Sequence, residues 1–395
     1  MYWVILAFVM FGIFKFDLGV SQVNLKGRDW LYYIVLILVI LASAFAFRLG
    51  SDGPGYQDSF EYDVPTLGHL TQIFLNDYNT RWQPGFILMM SLCKTINPSF
   101  YFFKLVYACV LNISIFSFFR RNTSYLFMAI LFYLLLYGFY FNFEIFREAM
   151  AFTVFIWAYP LINKKKWVKY YLFCIVAIMF HTSALILLFV PLISLLKIGN
   201  MTTTMIMFLA TIVLIAISSQ TNSIVARLLS YSENFESGYT YYFEQSRLSK
   251  NAFSLTKLGV WFALIVDVFM PFIMLYILPR QRGAKDYYPL IFIVALLVVP
   301  SRSYLILFRF GNYFAVFKIL FYLEMFDYIV FTISNRKQNY LIFAMVCFLY
   351  VGYFFHQDNF HINEWGMRGI DRYYPYTSII DKNTNTMHEY NIHNQ

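Results

Sequence analysis

The chain has 395 residues, of which 60% are hydrophobic, 22% aromatic and 13% charged, with 46 Phe, 33 Tyr and a net charge of +9. That is more apolar side chain than a water-soluble core of this length can hide, and a mean hydropathy of +0.59 leaves too few charges to cover an exterior. An ordinary cytosolic enzyme, a disordered chain and a nucleic-acid binder are thereby excluded: Lys and Arg sit in short clusters between apolar runs, where they orient a membrane protein.

Met1 leads straight into YWVILAFVMFGIF with neither a basic n-region nor a small-residue cleavage site, so this segment is expected to remain as a span. A bilayer core needs about 20 helical residues, and by that ruler the apolar runs are 2–16, 30–47, 82–96, 100–119, 124–141, 148–163, 169–196, 202–218, 257–278, 287–300, 304–331 and 339–356. Helices are predicted throughout, because lipid forbids unsatisfied backbone groups. The basic clusters Lys15/Lys26/Arg28, Arg120/Arg121, Lys164/Lys165/Lys166/Lys169, Arg280/Arg282/Lys285 and Arg336/Lys337 should face the cytoplasm. Two intervals carry an odd number of runs between clusters. Reading the short run 82–96, which opens RWQPG and carries Lys94, as a re-entrant or interfacial helix corrects the first. Breaking 169–196 at Phe180-His181-Thr182-Ser183 corrects the second. The expectation is one all-α polytopic membrane domain over 1–395, with about twelve spans, both termini outside and outward segments 48–81, 219–256 and 357–395. Cys93, Cys109, Cys174 and Cys347 lie in apolar stretches without CxxC spacing, which indicates neither disulfides nor zinc.

Ionisable residues near or within spans are costly unless paired or hydrated, so each is a functional candidate. Arg48 and Asp52 lie in FRLGSDGPGYQDSF, whose glycines and proline require an irregular loop at the outer end of the second run. The structural alternative is an i,i+4 pair capping the helix. Arg147, in FNFEIFREAM, is suited to gripping a diphosphate bidentately, although Glu144 and Glu148 beside it could simply neutralise it. His181 occupies the apex of the broken run and is either a ligand contact or a satisfied core histidine. Arg302 and Arg309 in PSRSYLILFRFGNYF add outer positive charge, with Asn312 and Tyr313 as hydrogen-bonding groups. Tyr56, Gln83 and Tyr313 are second-rank candidates for holding glycan. Asp267 is expected to pair internally, and Lys104, Lys318 and Glu324 to be snorkelling or structural. Glu233, Glu236 and Glu244 among Tyr231, Tyr239, Tyr241 and Tyr242 suit either sugars or an interfacial aromatic belt. No P-loop, GxGxxG, HExxH or GxSxG is present. What remains is an outward cationic and aromatic cavity with a carboxylate and an imidazole, which suits a lipid-linked diphosphate sugar.

The series FRLGSDGPGYQDSF, QPGFILMMSL, NFEIFREAMAF, a Lys-rich turn, FHTSALILLFVPL, FRFGNYFAVF and RYYPYTSII resembles, in order and over nearly the whole chain, the EpsG family, which groups with Wzy-type polymerases of exopolysaccharide, capsule and O-antigen. Before Pro84-Gly85 that family often carries an acid, where this chain has Gln83. The resemblance implies a GT-C-like helical fold in the bacterial cytoplasmic membrane and transfer of a growing glycan from undecaprenyl diphosphate to an undecaprenyl-diphosphate-linked repeat unit on the outer face. Arg48, Arg147 and Arg309 would then hold the diphosphate, and Asp52 or His181 would accept the acceptor's proton, with no cofactor and no metal. The expected partners are the lipid-linked oligosaccharide and the bilayer, with a chain-length regulator and a flippase of the same pathway as further candidates, and no nucleic acid. Rival readings are a GT-C glycosyltransferase adding one sugar from a polyprenyl-linked donor, a glycan ligase, a lipid-linked oligosaccharide flippase and a membrane O-acyltransferase.

Overall fold

Helices are what the computed structural model contains, and it describes residues 1–18, 25–69, 82–196, 198–202, 204–206, 208–210, 212–213, 264–303, 305–333, 336–360 and 368–382. Among these there is no strand, only an isolated antiparallel bridge between Ala46 and Ser378. Four described helices, Lys26–Ala44, Phe100–Asn122, Leu126–Phe143 and Asn339–Gln357, are long and apolar enough to cross a bilayer, as a polytopic membrane protein requires. All of the segment 219–256, expected to face outward, lies outside the described residues with its Glu and Tyr residues, as do 70–81, 361–367 and 383–395.

The chain forms two compact units. The first comprises Met1–Leu161, Trp167–Thr182 and Phe326–Gln395. Its leading helices are α1 (Tyr2–Gly12), α2 (Leu25–Ala44), α3 (Gly53–Asp58), α4 (Pro84–Ile96) and α5 (Phe100–Asn122). α6 (Leu126–Tyr133) follows and runs through a π-turn at Leu134–Gly138 into α7 (Phe139–Phe143). α8 (Phe146–Asn163), α9 (Trp167–Phe180) and, near the C-terminus, α15 (Arg336–Phe360) complete the set. On α5, Phe103, Tyr107, Leu111, Ile115 and Phe119 recur every four residues and all are fully buried, which is the stripe a helix of 3.6 residues per turn presents to a neighbour. α2 packs along it. α2 and α5 are antiparallel: Lys104 Nζ donates to the Ala46 carbonyl at 2.7 Å near one end, and Arg120 pairs with Asp29 at 2.9 Å at the other. Trp30 and Ile37 on α2 are exposed apolar surface of the kind lipid covers. Between helices in lipid the gain is close packing and polar bonding rather than transfer from water. The π-turn in α6 is fastened this way: Asn142 Nδ2 donates to the Gly138 carbonyl at 2.8 Å and to Tyr133 Oη at 3.0 Å, while Asn112 Nδ2 donates to Asn142 Oδ1 at 2.8 Å.

The second unit comprises Ile162–Lys166 and Ser183–Met325. After a 3-10 run over Thr182–Phe189 come α10 (Val190–Ser194), α11 (Met270–Arg282), α12 (Tyr288–Ser303), α13 (Leu305–Asn312) and, as far as Met325, α14 (Ala315–Ile333). Leu264, Val268, Phe272 and Ala295 form its core cluster. Asp267 is paired with Lys318 at 3.2 Å and accepts from Tyr322 Oη at 2.6 Å, and Glu324 is paired with Lys285 at 2.9 Å, so these charges are structural. The run 304–331 was expected as one helix and is two, interrupted at Tyr313-Phe314, where Gly311-Asn312 weakens the helix and Tyr313 Oη lies 2.9 Å from Ser183 Oγ. The run 169–196 does break at His181, as expected.

Candidate active site

The site grows out of the irregular stretch that follows α2. Arg48 has φ +48°, an uncommon backbone state for a residue with a Cβ, so it does not continue the helix. Gly50 has φ +81°, and a Cβ there would stand 2.5 Å from the Phe143 carbonyl oxygen. Only glycine lets the loop press against the end of α7. Asp52 is the exposed N-cap residue of α3, although its side chain makes no capping bond. One turn later Tyr56 is buried.

The C-terminal segment 368–381 lies along the same stretch. Phe47 N–H donates to the Thr377 carbonyl at 2.9 Å, Ile379 N–H to the Phe45 carbonyl at 3.0 Å, and Gly50 N–H to the Arg372 carbonyl at 3.1 Å. This strap delivers Arg372 and Tyr373 to Glu144, which caps α7 and is only 3% exposed. Arg372 Nη1 donates to the two Glu144 oxygens at 3.0 and 3.3 Å, and Glu144 Oε1 also accepts from Tyr373 Oη at 2.7 Å and from the Ser51 N–H at 3.4 Å. Burial, reinforced by the Glu144 carboxylate, pushes the Tyr373 hydroxyl well above its ordinary value, so it remains a donor at physiological pH.

Three residues after Glu144, in the first turn of α8, Arg147 turns to different partners. Its Nη1 donates to Gln83 Oε1 at 2.7 Å and its Nε to Tyr56 Oη at 3.4 Å, while its guanidinium lies 4.3 Å over the Trp82 ring. Tyr56 in turn stacks on Phe146 at 4.8 Å. Among the described residues no carboxylate pairs with Arg147, because Glu144 is taken by Arg372. Neutralisation of Arg147 by Glu144 is thus not what the fold does. Gln83 is extended, as a residue before proline must be, and Pro84 starts α4; the Gln83 amide binds Arg147 instead of capping its own helix.

His181 is buried and closes α9, its N–H donating to the Ala177 carbonyl at 3.0 Å. That end of α9 meets the start of α4, since a Cβ on Gly85 would lie 2.8 Å from the Met179 carbonyl oxygen. Arg147, Gln83 and Tyr56 are therefore joined directly, Arg48 and Asp52 share the loop that carries Tyr56, and His181 terminates the helix that abuts Gln83's own. Arg309, in the last turn of α13, and the fully buried Tyr313 belong to the second unit. Trp82, Arg372 and Tyr373 are additions. The tripeptide Arg81-Trp82-Gln83 and the late RYYPYTSII stretch held them in plain view, but a Trp at a helix start reads as interfacial belt and an Arg in a tail as solvated charge.

Comparison with characterised proteins and with solved structures finds no match. The sequence profile of the EpsG family matches residues 29–378, a span that includes every site residue above. The chain therefore belongs to the EpsG family, a family of Wzy-type polysaccharide polymerases.

Proposed function

We propose that the protein polymerises a bacterial surface polysaccharide by moving a growing glycan from undecaprenyl diphosphate to a hydroxyl of an undecaprenyl-diphosphate-linked repeat unit, at the outer face of the cytoplasmic membrane, on a GT-C-like helical scaffold. The observation that carries this reading is Arg147: a guanidinium oriented by two neutral acceptors and an indole face, with no carboxylate partner among the described residues. Held in that way it keeps its charge for an anion, and its position in the first turn of α8 adds the helix's own positive end. Trp82 beside it, only partly buried, offers aromatic surface to a sugar ring, with Tyr56 packed behind it.

In the proposed reaction the acceptor oxygen bonds to the donor's anomeric carbon as the bond from that carbon to the diphosphate breaks. The electron pair leaves on the diphosphate, where Arg147 and Arg48 stabilise it. The hydroxyl proton passes to Asp52 or His181, a step worth roughly 10²–10⁴-fold. Since guanidinium groups stabilise the leaving group, the reaction needs no divalent metal.

The outer location draws support from the antiparallel pair α2 and α5. The Arg120/Arg121 cluster, which should be cytoplasmic, is at the Asp29 end, and the site loop is at the Lys104 end, about 24 Å away at 1.5 Å per residue.

Purified protein given a synthetic undecaprenyl-diphosphate repeat unit should yield a ladder of repeat lengths, with or without EDTA. Arg147→Ala should abolish the ladder in protein that still elutes as a single folded species. A single addition product, a ligated product or an undiminished ladder from the variant would remove the proposal.

A further inference from the structure

The proposed reaction needs Arg147 uncompensated, yet Glu144 stands only three residues before it, in the short link between α7 and α8. Glu144 is buried, so its charge must be met by something. It is met by the strap: Arg372 with two bonds at 3.0 and 3.3 Å, and Tyr373 with one at 2.7 Å. Four further bonds hold the strap in register: Phe47 N–H and Ile379 N–H with their partner carbonyls, Thr377 Oγ1 to the Phe47 carbonyl at 2.8 Å, and Gly50 N–H to the Arg372 carbonyl. The last of these, with Ser51 N–H on Glu144, ties the same network to the loop of Arg48 and Asp52.

We infer that Arg372 is a positioning residue whose work is to occupy Glu144, so that Arg147 stays open for the diphosphate of the lipid-linked substrate. This deepens the reading above and rests on it. Without Arg372, the buried carboxylate takes the nearest guanidinium, and the anion site is closed by an internal salt bridge. The strap is then a condition for substrate binding rather than an ornament of the tail. A plain structural role for Arg372 makes a different forecast, because then probe binding and kcat fall together with the folded fraction instead of KM rising while kcat holds.

The test uses the full chain in lipid nanodiscs with geranylgeranyl diphosphate as the binding probe, read alongside the KM and kcat for ladder formation. Arg372→Gln should weaken probe binding and raise KM by roughly tenfold, within the range for coupled charged neighbours, while kcat changes less. Adding Glu144→Gln to the same chain should restore binding to within about threefold of wild type, because the competitor for Arg147 is gone. Glu144→Gln alone, which does not depend on the stability of the Arg372 variant, should bind the probe at least as well as wild type. A double variant no better than Arg372→Gln, or a Glu144→Gln chain that loses the probe, would overturn the inference. Failure of the wild-type chain to bind the probe or to make a ladder would instead end the proposed function.

Discussion

Arg147 is defined by shape as much as by charge. Two of its nitrogens are committed to Gln83 and Tyr56, and the plane of the group is laid on Trp82, so the remaining edge points in a fixed direction. Lysine keeps the charge and loses all three constraints. Arg147→Lys is therefore expected to lower kcat/KM for ladder formation by roughly 10²-fold, the usual cost of one misplaced transition-state donor. A lysine variant within about threefold of wild type would mean that Arg147 acts only as a diffuse positive charge. The residue's importance was legible in FNFEIFREAM, since an arginine beside a span is costly unless used. Its partners were not. Which of two flanking glutamates neutralises a guanidinium depends on what else reaches them, and Arg372 arrives from 228 residues away in sequence.

At the level of elements, the hydrophobic runs gave helix positions well wherever polar residues marked the break. His181 separates α9 from the 3-10 run because a polar triplet interrupts the apolar stretch there. The Tyr313-Phe314 interruption escaped notice because both residues are as apolar as the helix around them, and only Gly311-Asn312 hinted at it. The contact between α4 and α9 was equally silent, since it turns on one absent side chain. Gly85 lets the Met179 carbonyl approach to a point 2.8 Å from where a Cβ would be. Gly85→Ala must push the two helices apart, because the obstacle is backbone and cannot rotate away. The expected cost is about 1–3 kcal/mol of stability, read as an earlier thermal transition in detergent. The rate of ladder formation should fall further, by roughly 10²-fold, because Gln83 and His181 ride on the two displaced helices and small misplacements are amplified in the chemistry. Normal stability and normal rate together would show that the α4–α9 contact has no bearing on the site.

For the whole molecule, the decisive matter is which side of the membrane the site faces. Composition alone placed the chain in lipid, and the basic clusters supplied an orientation, but neither says which residues share a leaflet. The first unit adds that link through α2 and α5: Arg120 with Asp29 at one end, Lys104 with Ala46 at the other, and the strap bridged to Ala46 through Ser378. Orientation of one end thus fixes the other. In a chain whose four native cysteines are replaced, Ile380→Cys, on a residue 93% exposed, should react in intact cells with a membrane-impermeant maleimide. Asn122→Cys, exposed at the end of α5 beside Arg120 and Arg121, should react only after the cells are opened. The two positions lie at opposite ends of one antiparallel pair, so both being labelled from the same side would contradict a membrane-spanning α5. The reverse pattern, with Asn122→Cys labelled from outside and Ile380→Cys protected, would put Arg147 at the cytoplasmic face. A polymerase acting on exported lipid-linked repeats could not work from there.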